Sequence, residues 1–250
     1  MKSLINLIGK TILVTGAASG IGRETSIIAS QYGAKIVLID LVESGLKETL
    51  SLLDGNNHSY YILDLTNFSA IETVMKTIFE RYGIIHGLVH CAGISSRKPL
   101  KVLKKKGFEK VMDVNFYSFL ELVRLSCGKK HFADGGSVVV MSSISSIKGY
   151  KAKTEYCVSK AAIDAFVRCM ALELSERRIR VNSVMPATVN TPMAQKARDL
   201  NASIGATDEN DAPLGITEPY EVANLIVFLL SDATKTITGT SILIDGGLTV

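Results

Sequence analysis

The chain has 250 residues, of which 47% are hydrophobic and 21% are charged, with 20 glycines and only 5 prolines. This composition excludes collagen-like, disordered and disulfide-scaffold proteins, and the length leaves room for one large α/β domain or two small ones. The mean hydropathy of +0.25 is high, yet the longest apolar runs, such as residues 138–141 and 225–230, are far shorter than the roughly 20 residues that span a bilayer. We therefore expect no membrane contact.

Only one stretch of the chain is densely basic, although the formal net charge is +4. It contains Lys101, Lys104, Lys105 and Lys106. Nucleic-acid sites usually combine such charge with aromatic or groove-reading residues, and here only Phe108 is close. We interpret the stretch as the solvated start of a helix and expect no nucleic-acid partner.

The N-terminus and the cysteines indicate the cellular compartment. The first ten residues show one early lysine and a short apolar patch without a small-residue cleavage site, which is not the pattern of a signal peptide. The four cysteines have neither a C-x-x-C pair nor a nearby histidine cluster: Cys91, Cys127, Cys157 and Cys169. We expect reduced thiols, no metal site and a cytoplasmic location.

Short β-branched runs alternate with segments of helical periodicity along the whole chain. The predicted strands are residues 11–15, 35–40, 59–63, 87–91, 137–141, 180–185 and 241–244. The predicted helices are residues 21–31, 46–53, 68–81, 108–127, 155–174 and 219–230. Near-continuous apolar strands that alternate with helices indicate a parallel sheet covered on both faces. The predicted fold class is α/β, one doubly wound domain over residues 1–250 with a seven-stranded, mostly parallel sheet.

One segment, residues 187–217, lacks a clear period and is rich in Asn, Asp, Ala, Thr and Pro. Loops of this length inside a compact domain are usually functional or disordered. We interpret it as the loop that recognises the substrate.

A glycine-rich turn, TGAASGIG at residues 15–22, follows the first strand and precedes a helix. Glycine lets backbone N–H groups approach a pyrophosphate closely, and the helix N-terminus stabilises its negative charge. The spacing departs from G-x-G-x-x-G, since three residues separate Gly16 from Gly20, and any turn between a strand and a helix can use glycine. The second strand, however, ends at Asp40, where a carboxylate can bind the adenosine ribose hydroxyls.

Asp40 also favours one cofactor over the other. Its carboxylate would repel a 2′-phosphate, and the glycine turn offers Ser19 rather than a basic residue to neutralise one. We therefore expect NAD rather than NADP, although a strand-end aspartate is also a common turn cap. A second acid, Asp64, either caps the next helix or reaches the adenine.

The pair Tyr156 and Lys160 has the i, i+4 spacing that places both side chains on one helix face. There Lys160 can lower the phenol pKa electrostatically, which suits Tyr156 to acid and base chemistry near neutral pH. Such a pair also arises by chance on solvated helices. Ser143 follows a strand at the carboxyl edge where α/β sheets bind ligands, and Asn115 is an amide in a helical segment, where it is disfavoured. The turn at Ala92 and Gly93 ends the fourth strand at the expected cofactor crevice.

Together these residues resemble the short-chain dehydrogenase/reductase family, over residues 11–247. The resemblance rests also on the Arg180-Val181-Asn182 strand with Pro186, and on the closing Thr238-Gly239 and Asp245-Gly246-Gly247. It implies a Rossmann-like fold, with Tyr156 as proton donor and acceptor and Ser143 orienting the substrate oxygen. It further implies that Lys160 holds the nicotinamide ribose and that Asn115 supports a water-linked proton relay. The implied cofactor contacts are Gly16, Ser19, Gly20, Ile21, Gly22, Asp40, Asp64, Leu65, Ala92, Gly93, Tyr156, Lys160, Val189 and Thr191.

Two positions depart from the family pattern. His90-Cys91 stands where the fourth strand usually ends in two asparagines, so a thiol replaces an amide and the adenine-side packing changes. Ala187 follows Pro186 where glycine is usual, which adds a Cβ near the nicotinamide. We expect a modest reshaping of the pocket with cofactor binding retained.

The predicted function is an NAD-dependent oxidoreductase that interconverts a secondary alcohol and a ketone, and the resemblance implies a homotetramer. One alternative is an NADPH-dependent 3-oxoacyl-carrier-protein reductase, in which Arg177 and Arg178 meet an acidic carrier. Another is a non-catalytic cofactor-binding scaffold, although such proteins typically lose Tyr or Lys of the pair. The histidines are interpreted as structural, and Cys157 as a core thiol rather than a nucleophile. Loop lysines such as Lys148 are compatible with an acidic substrate, although lysines in loops are commonly exposed without such a role.

Overall fold

The computed structural model describes residues 5–203 and 212–250. Its strands are β1 (Thr11–Thr15), β2 (Lys35–Asp40), β3 (Ser59–Ile62), β4 (Ile85–His90), β5 (Phe132–Met141), β6 (Arg180–Pro186) and β7 (Ser241–Ile244). Its helices are α1 (Gly20–Gln31), α2 (Glu43–Ser51), α3 (Phe68–Tyr82), α4 (Lys105–Met112), α5 (Ser118–Ser126), α6 (Thr154–Glu173), α7 (Pro192–Ser203) and α8 (Pro219–Leu230). The π-helical turn Asp113–Tyr117 joins α4 to α5.

The seven strands form one parallel sheet in the order β3-β2-β1-β4-β5-β6-β7. The chain winds outward from β1 to β3 and then returns to the other side of β1 as β4. In such sheets the connections beyond the carboxyl ends of the two central strands diverge, and a crevice opens there. The order therefore confirms the doubly wound prediction and places the crevice beside Thr15 and His90, where β1 and β4 end.

Each face of the sheet packs against its own helices. Buried side chains of α3, α5 and α6 form one apolar cluster with residues such as Leu13 and Val138, whereas those of α1, α2 and α8 form the other with Ile12 and Val14. Alternate residues of one strand thus enter opposite clusters, because successive side chains of a strand point to opposite faces. Burial on both faces explains the high hydropathy. Among the described helices, none is both long and apolar enough to cross a bilayer.

The segment predicted as one loop, residues 187–217, differs from the prediction because Pro192–Ser203 is a helix. The hydroxyl of Thr191 accepts a hydrogen bond from the Ala194 N–H at 3.2 Å, and Pro192 occupies the first helical position. These start signals are local, and the helix has no apolar stripe of the kind that helical periodicity reveals. Residues 204–211 of the segment lie outside the described residues.

The long helix predicted over residues 108–127 is also divided, by the π-helical turn Asp113–Tyr117. Smaller differences concern strand ends: β3 ends at Ile62, β4 begins at Ile85 and β5 begins at Phe132. The basic stretch does form an exposed helix start, with Lys104 just before α4.

Candidate active site

The glycine turn between β1 and α1 packs directly against the end of β4. Gly16 has φ +67°, and a Cβ there would lie 2.7 Å from the Ala92 nitrogen. A Cβ on Gly22 would overlap the Gly16 carbonyl oxygen, and one on Gly20 would lie 3.1 Å from Cγ2 of Thr191. The predicted cofactor residues of three separate segments thus meet at one place, and larger side chains would fill the space between them.

The N-terminus of α1 opens towards this turn. Ser19 precedes the helix with extended backbone and forms no side-chain cap, and the first helical turn carries no acidic residue. The unpaired N–H groups of such a turn, with the positive end of the helix dipole, attract an anionic group. The residues therefore fit the pyrophosphate of a dinucleotide.

Asp40 reaches across from the end of β2 to the same turn. Its carboxylate accepts hydrogen bonds from the Ala18 N–H at 3.1 Å and from the Val42 N–H at 3.0 Å. Arg23, the one basic residue of α1, donates to Glu48 at 2.7 Å and to the Ala18 carbonyl oxygen at 2.6 Å. The carboxylate thus both caps a turn and stands beside the glycine loop, and the adjacent guanidinium is held by another acid.

Asp64 does not cap the next helix, so that alternative is wrong. Hydrogen bonds from the Thr66 N–H and hydroxyl lower the pKa of Asp64, whereas Asn67 caps α3 by accepting from the Ala70 N–H. Leu65, next in sequence, is buried. Contact of Asp64 with an adenine stays a prediction.

Tyr156 and Lys160 lie one turn apart on α6, as predicted, with Lys160 Nζ 5.6 Å from the Tyr156 ring centroid. Burial raises the pKa of Tyr156 to about 12, although a hydrogen bond with Ser143 acts in the opposite direction. The predicted lowering of that pKa by Lys160 is wrong for this arrangement. Nζ instead donates to the Met141 carbonyl oxygen at 2.6 Å. Tyr156 is therefore a protonated phenol at neutral pH, held beside Ser143 at the end of β5.

The side chain of Lys160 is buried, and only 4% of the residue is exposed. Burial lowers the pKa of its ammonium from 10.5 to about 8, so the group stays mainly protonated at neutral pH. Gly93 lies against it, because a Cβ on Gly93 would be 3.8 Å from Nζ and 3.3 Å from Oδ1 of Asn115. The turn after β4 therefore packs against Lys160 of α6 and against Asn115.

Asn115 lies in the π-helical turn and its buried amide joins three segments. Oδ1 accepts from the Ile94 N–H at 2.8 Å, and Nδ2 donates to the Ile94 carbonyl oxygen at 3.1 Å and to Ser159 Oγ at 2.9 Å. Ser159 was missed by the sequence reasoning, since a serine inside an amphipathic helix gives no signal of its own. The relay role of Asn115 stays a prediction.

Comparisons with known proteins agree with this geometry. A family model described as Enoyl-(Acyl carrier protein) reductase matches residues 16–249. The 3-oxoacyl-(acyl-carrier-protein) reductase FabG of Thermotoga maritima is 34% identical over 98% of this chain and 100% of its own length. The NAD-dependent glycerol dehydrogenase of Listeria innocua is 31% identical over 98% of this chain and 96% of its own. The glucose/ribitol dehydrogenase-type short-chain dehydrogenase/reductase of Brucella melitensis has a TM-score of 0.90 at 27% identity, over 98% of this chain and 99% of the other.

The chain belongs to the short-chain dehydrogenase/reductase family. It is accordingly an oxidoreductase that acts on CH–OH groups with a nicotinamide cofactor. The non-catalytic alternative is thereby set aside.

The departure from the family pattern at His90-Cys91 has a structural substitute. His90 Nδ1 lies 2.9 Å from Thr15 Oγ1, and its ring stacks on Phe119 with centroids 5.4 Å apart. Thr15 Oγ1 also accepts from the Ala92 N–H at 3.3 Å, so His90 and Thr15 together join β1 to the turn after β4. Burial lowers the pKa of His90 to about 3 and raises that of the Cys91 thiol to about 12. Both groups are neutral, which is consistent with structural roles.

Other predicted residues are placed as follows. Val189 pairs with Thr217 in an isolated parallel bridge, which brings the two ends of the 187–217 segment together beside Thr191. Cys157 is half-buried rather than a core thiol. The four cysteines are free, and within the described residues no group of three acidic, histidine or cysteine side chains is placed to hold a metal.

Arg177 does not present a free cation to a carrier protein. Its Nε donates to Asp134 at 2.7 Å and Nη1 donates to the Cys127 carbonyl oxygen at 2.7 Å, and its side chain is 17% exposed. The guanidinium therefore joins the end of α5 to the start of β5. Arg178 follows with left-handed backbone at φ 53°.

Proposed function

We propose that the protein interconverts a secondary alcohol and a ketone, with NAD as the hydride carrier and Tyr156 as the group that exchanges the proton with the substrate oxygen. The observation that carries the proposal is that Tyr156 and Ser143 interact at the carboxyl edge of the sheet, with Lys160 Nζ 5.6 Å from the centroid of the Tyr156 ring. Together, a phenol, a hydroxyl and a cation supply a proton and a polarising contact for a carbonyl oxygen.

At neutral pH Tyr156 is in the protonated form, which can donate a proton to a ketone oxygen. Tyr156 holds its proton because burial raises its pKa to about 12. Ser143 also accepts from the Ser145 N–H at 3.1 Å, which keeps its hydroxyl at the start of the loop after β5. When bound, the nicotinamide supplies or removes the hydride. Oxidation of an alcohol requires Tyr156 to be deprotonated, and the deprotonated fraction of Tyr156 increases as the pH rises.

The cofactor choice rests on Asp40. Its carboxylate faces the turn that would hold the dinucleotide, and the nearby guanidinium of Arg23 is paired with Glu48 rather than free for a 2′-phosphate. A relative named as NAD-dependent, the Listeria innocua glycerol dehydrogenase, supports the same choice. Initial rates with NADH and NADPH at equal concentrations test it. A faster rate with NADPH would contradict the assignment.

The catalytic proposal is tested by Tyr156→Phe, which keeps the ring and removes the hydroxyl. We expect kcat to fall by about 100-fold to 10,000-fold, because a positioned acid or base contributes that much. The dissociation constant for NADH should stay near the wild-type value. Tyr220→Phe, at an exposed tyrosine of α8, is the control. Unchanged turnover in Tyr156→Phe would refute the role of this residue.

A second candidate is the reduction of a 3-oxoacyl group on a carrier protein. It is favoured by the FabG of Thermotoga maritima, which matches over its whole length. It is weakened by Arg177, whose guanidinium is engaged within the chain. Matched ketones, free and attached to a carrier protein, distinguish the two candidates by their kcat/KM.

We further propose that residues 1–250 form one domain, that residues 187–217 select the substrate, and that the protein is a homotetramer. The exposed apolar side chains of Tyr117, Val158 and Leu172 on the surface near α5 and α6 support assembly. Light scattering of the purified protein measures the number of subunits directly. A cytoplasmic location stays a prediction.

A further inference from the structure

Glu155 is a buried carboxylate that the proposed reaction does not use. It immediately precedes Tyr156 in the first turn of α6, and its side chain is 1% exposed. Burying a carboxylate is costly unless hydrogen bonds and opposite charge compensate it. A residue of this kind beside a catalytic group therefore needs an explanation.

The compensation comes from the loop that follows β4. Ser96 donates its hydroxyl to Oε2 of Glu155, and Lys98 Nζ lies 3.4 Å from Oε1 and 3.5 Å from Oε2. The backbone N–H of Lys98 donates to the Ala152 carbonyl oxygen at 2.7 Å, just before α6. The positive end of the α6 dipole adds to the stabilisation of the charge. Three contacts thus fasten residues 94–98 to the start of the catalytic helix.

The N-terminal part of α4 closes this cluster. A Cβ on Gly107 would lie 2.5 Å from Lys98 Nζ and 2.9 Å from Oε1 of Glu155. Any larger residue at that position would displace the ion pair. The carboxylate is therefore enclosed by the β4–α4 loop, by α4 and by its own helix.

The same loop holds Asn115 at its other end. Ile94, two residues before Ser96, bonds the Asn115 amide through both its N–H and its carbonyl oxygen. Gly93 before it touches the space occupied by Lys160. A displacement of the loop at Ser96 would therefore shift the surroundings of two groups of the proposed catalytic centre, Asn115 and Lys160.

We infer that Glu155 is a positioning residue, whose carboxylate fixes the β4–α4 loop through Ser96 and Lys98 and so holds Asn115 and the substrate cleft in their working geometry. Both partners donate, so the carboxylate serves as an acceptor on each oxygen. An amide at this position would present a donor to one of them. This inference rests on the proposed function for its kinetic consequence, but its structural part stands on the contacts alone.

The test compares Glu155→Gln with the wild type, and Glu109→Gln, at an exposed carboxylate of α4, is the matched control. Small displacements of catalytic groups cost up to about 100-fold in rate, so we expect Glu155→Gln to lower kcat/KM by about tenfold or more, chiefly through kcat. The NADH dissociation constant should change less than about twofold, given that the glycine turn is untouched. Hydrogen exchange of residues 93–99 should become faster, and Glu109→Gln should leave all three readouts unchanged.

Two further variants separate positioning from a general loss of folding. Ser96→Ala removes one donor with little change of shape and should reproduce the exchange effect more weakly. Lys98→Met combined with Glu155→Gln should lower kcat/KM by less than the product of the single effects, because the two residues act as one contact. Lys98→Arg should retain most of the activity.

The inference is overturned if Glu155→Gln leaves exchange of residues 93–99 unchanged, or if its defect consists of weaker NADH binding with normal kcat. Should Glu155→Gln fail to fold, Ser96→Ala and Lys98→Met decide by the same exchange measurement. If no ketone or alcohol is turned over by the wild type, the proposed function fails, while the exchange result still decides the role of Glu155.

Discussion

Replacing Lys160 by methionine should make the folded chain more stable while it removes catalysis. Burial lowers the pKa of this ammonium from 10.5 to about 8. At roughly 1.4 kcal/mol per pH unit, holding the charge inside at neutral pH costs the folded state about 3 kcal/mol. The variant loses the hydrogen bond to the Met141 carbonyl oxygen, which offsets about 1–2 kcal/mol of the gain. The net gain of about 1–2 kcal/mol corresponds to a rise in Tm of about 2–8 °C.

The pH dependence gives a second signature. Below about pH 8 the wild-type penalty is fully present, since both states carry the proton there. Between about pH 8 and 10.5 the unfolded chain binds a proton that the folded chain has lost, so wild-type stability rises through this window relative to Lys160→Met. The raised pKa values of Cys127 and Tyr156 act in the opposite direction at higher pH, but both proteins share them. The difference in Tm between the two proteins therefore shrinks as the pH rises.

The assay is thermal unfolding without cofactor, monitored by circular dichroism in buffers at several pH values from 7 to 10. Lys105→Met, at a lysine whose side chain is 88% exposed, is the control and should shift Tm little at any pH. A Tm for Lys160→Met below that of the wild type at pH 7 would refute the reasoning. A difference that does not change with pH would refute it equally.

Two other substitutions examine the cofactor side of the site. In Gly22→Ala the new Cβ would overlap the Gly16 carbonyl oxygen, so we expect NADH binding to weaken by about tenfold or more in a fluorescence titration. Gly128→Ala, where no atom lies within 4 Å of the new Cβ, is the control, and equal affinities would contradict the close approach. Asp40→Asn removes the charge beside the turn, and the NADPH/NADH ratio of kcat/KM should rise by about tenfold. An unchanged ratio would show that another residue selects the cofactor.

Hydrophobic periodicity predicts most of the fold because strands buried on two faces leave a strong apolar signal. The strand at residues 11–15 and the helix at 219–230 agree with β1 and α8. A helix without an apolar stripe leaves no such signal. Helix α7 is polar, and its start is marked by Thr191 and Pro192, which are local signals. The π-helical turn at Asp113–Tyr117 depends on tertiary contacts of Asn115, so helical periodicity could not reveal it.

The sequence predicts where the residues of the candidate site lie, but it does not predict their pKa values. The i, i+4 spacing places Tyr156 and Lys160 on one helix face, and strand order brings Ser143 to the same edge. Their pKa values depend on burial, which spacing does not contain. For the same reason the sequence predicts that Lys160 lowers the phenol pKa, whereas desolvation raises it. Glu155 was missed because its partners lie 57 and 59 positions away in the sequence.

Two buried cations of this chain, Arg180 and Lys160, differ in how well their charge is compensated by hydrogen bonds. Arg180 is 4% exposed, but it donates to the Leu229 and Ser231 carbonyl oxygens and to Thr234, so its burial joins β6 to the end of α8. Lys160 is as deeply buried and has one backbone acceptor, which is poor compensation for a full charge. A fold selected for stability alone would replace it with an apolar side chain. Its presence beside Tyr156 is therefore better explained by the reaction than by packing.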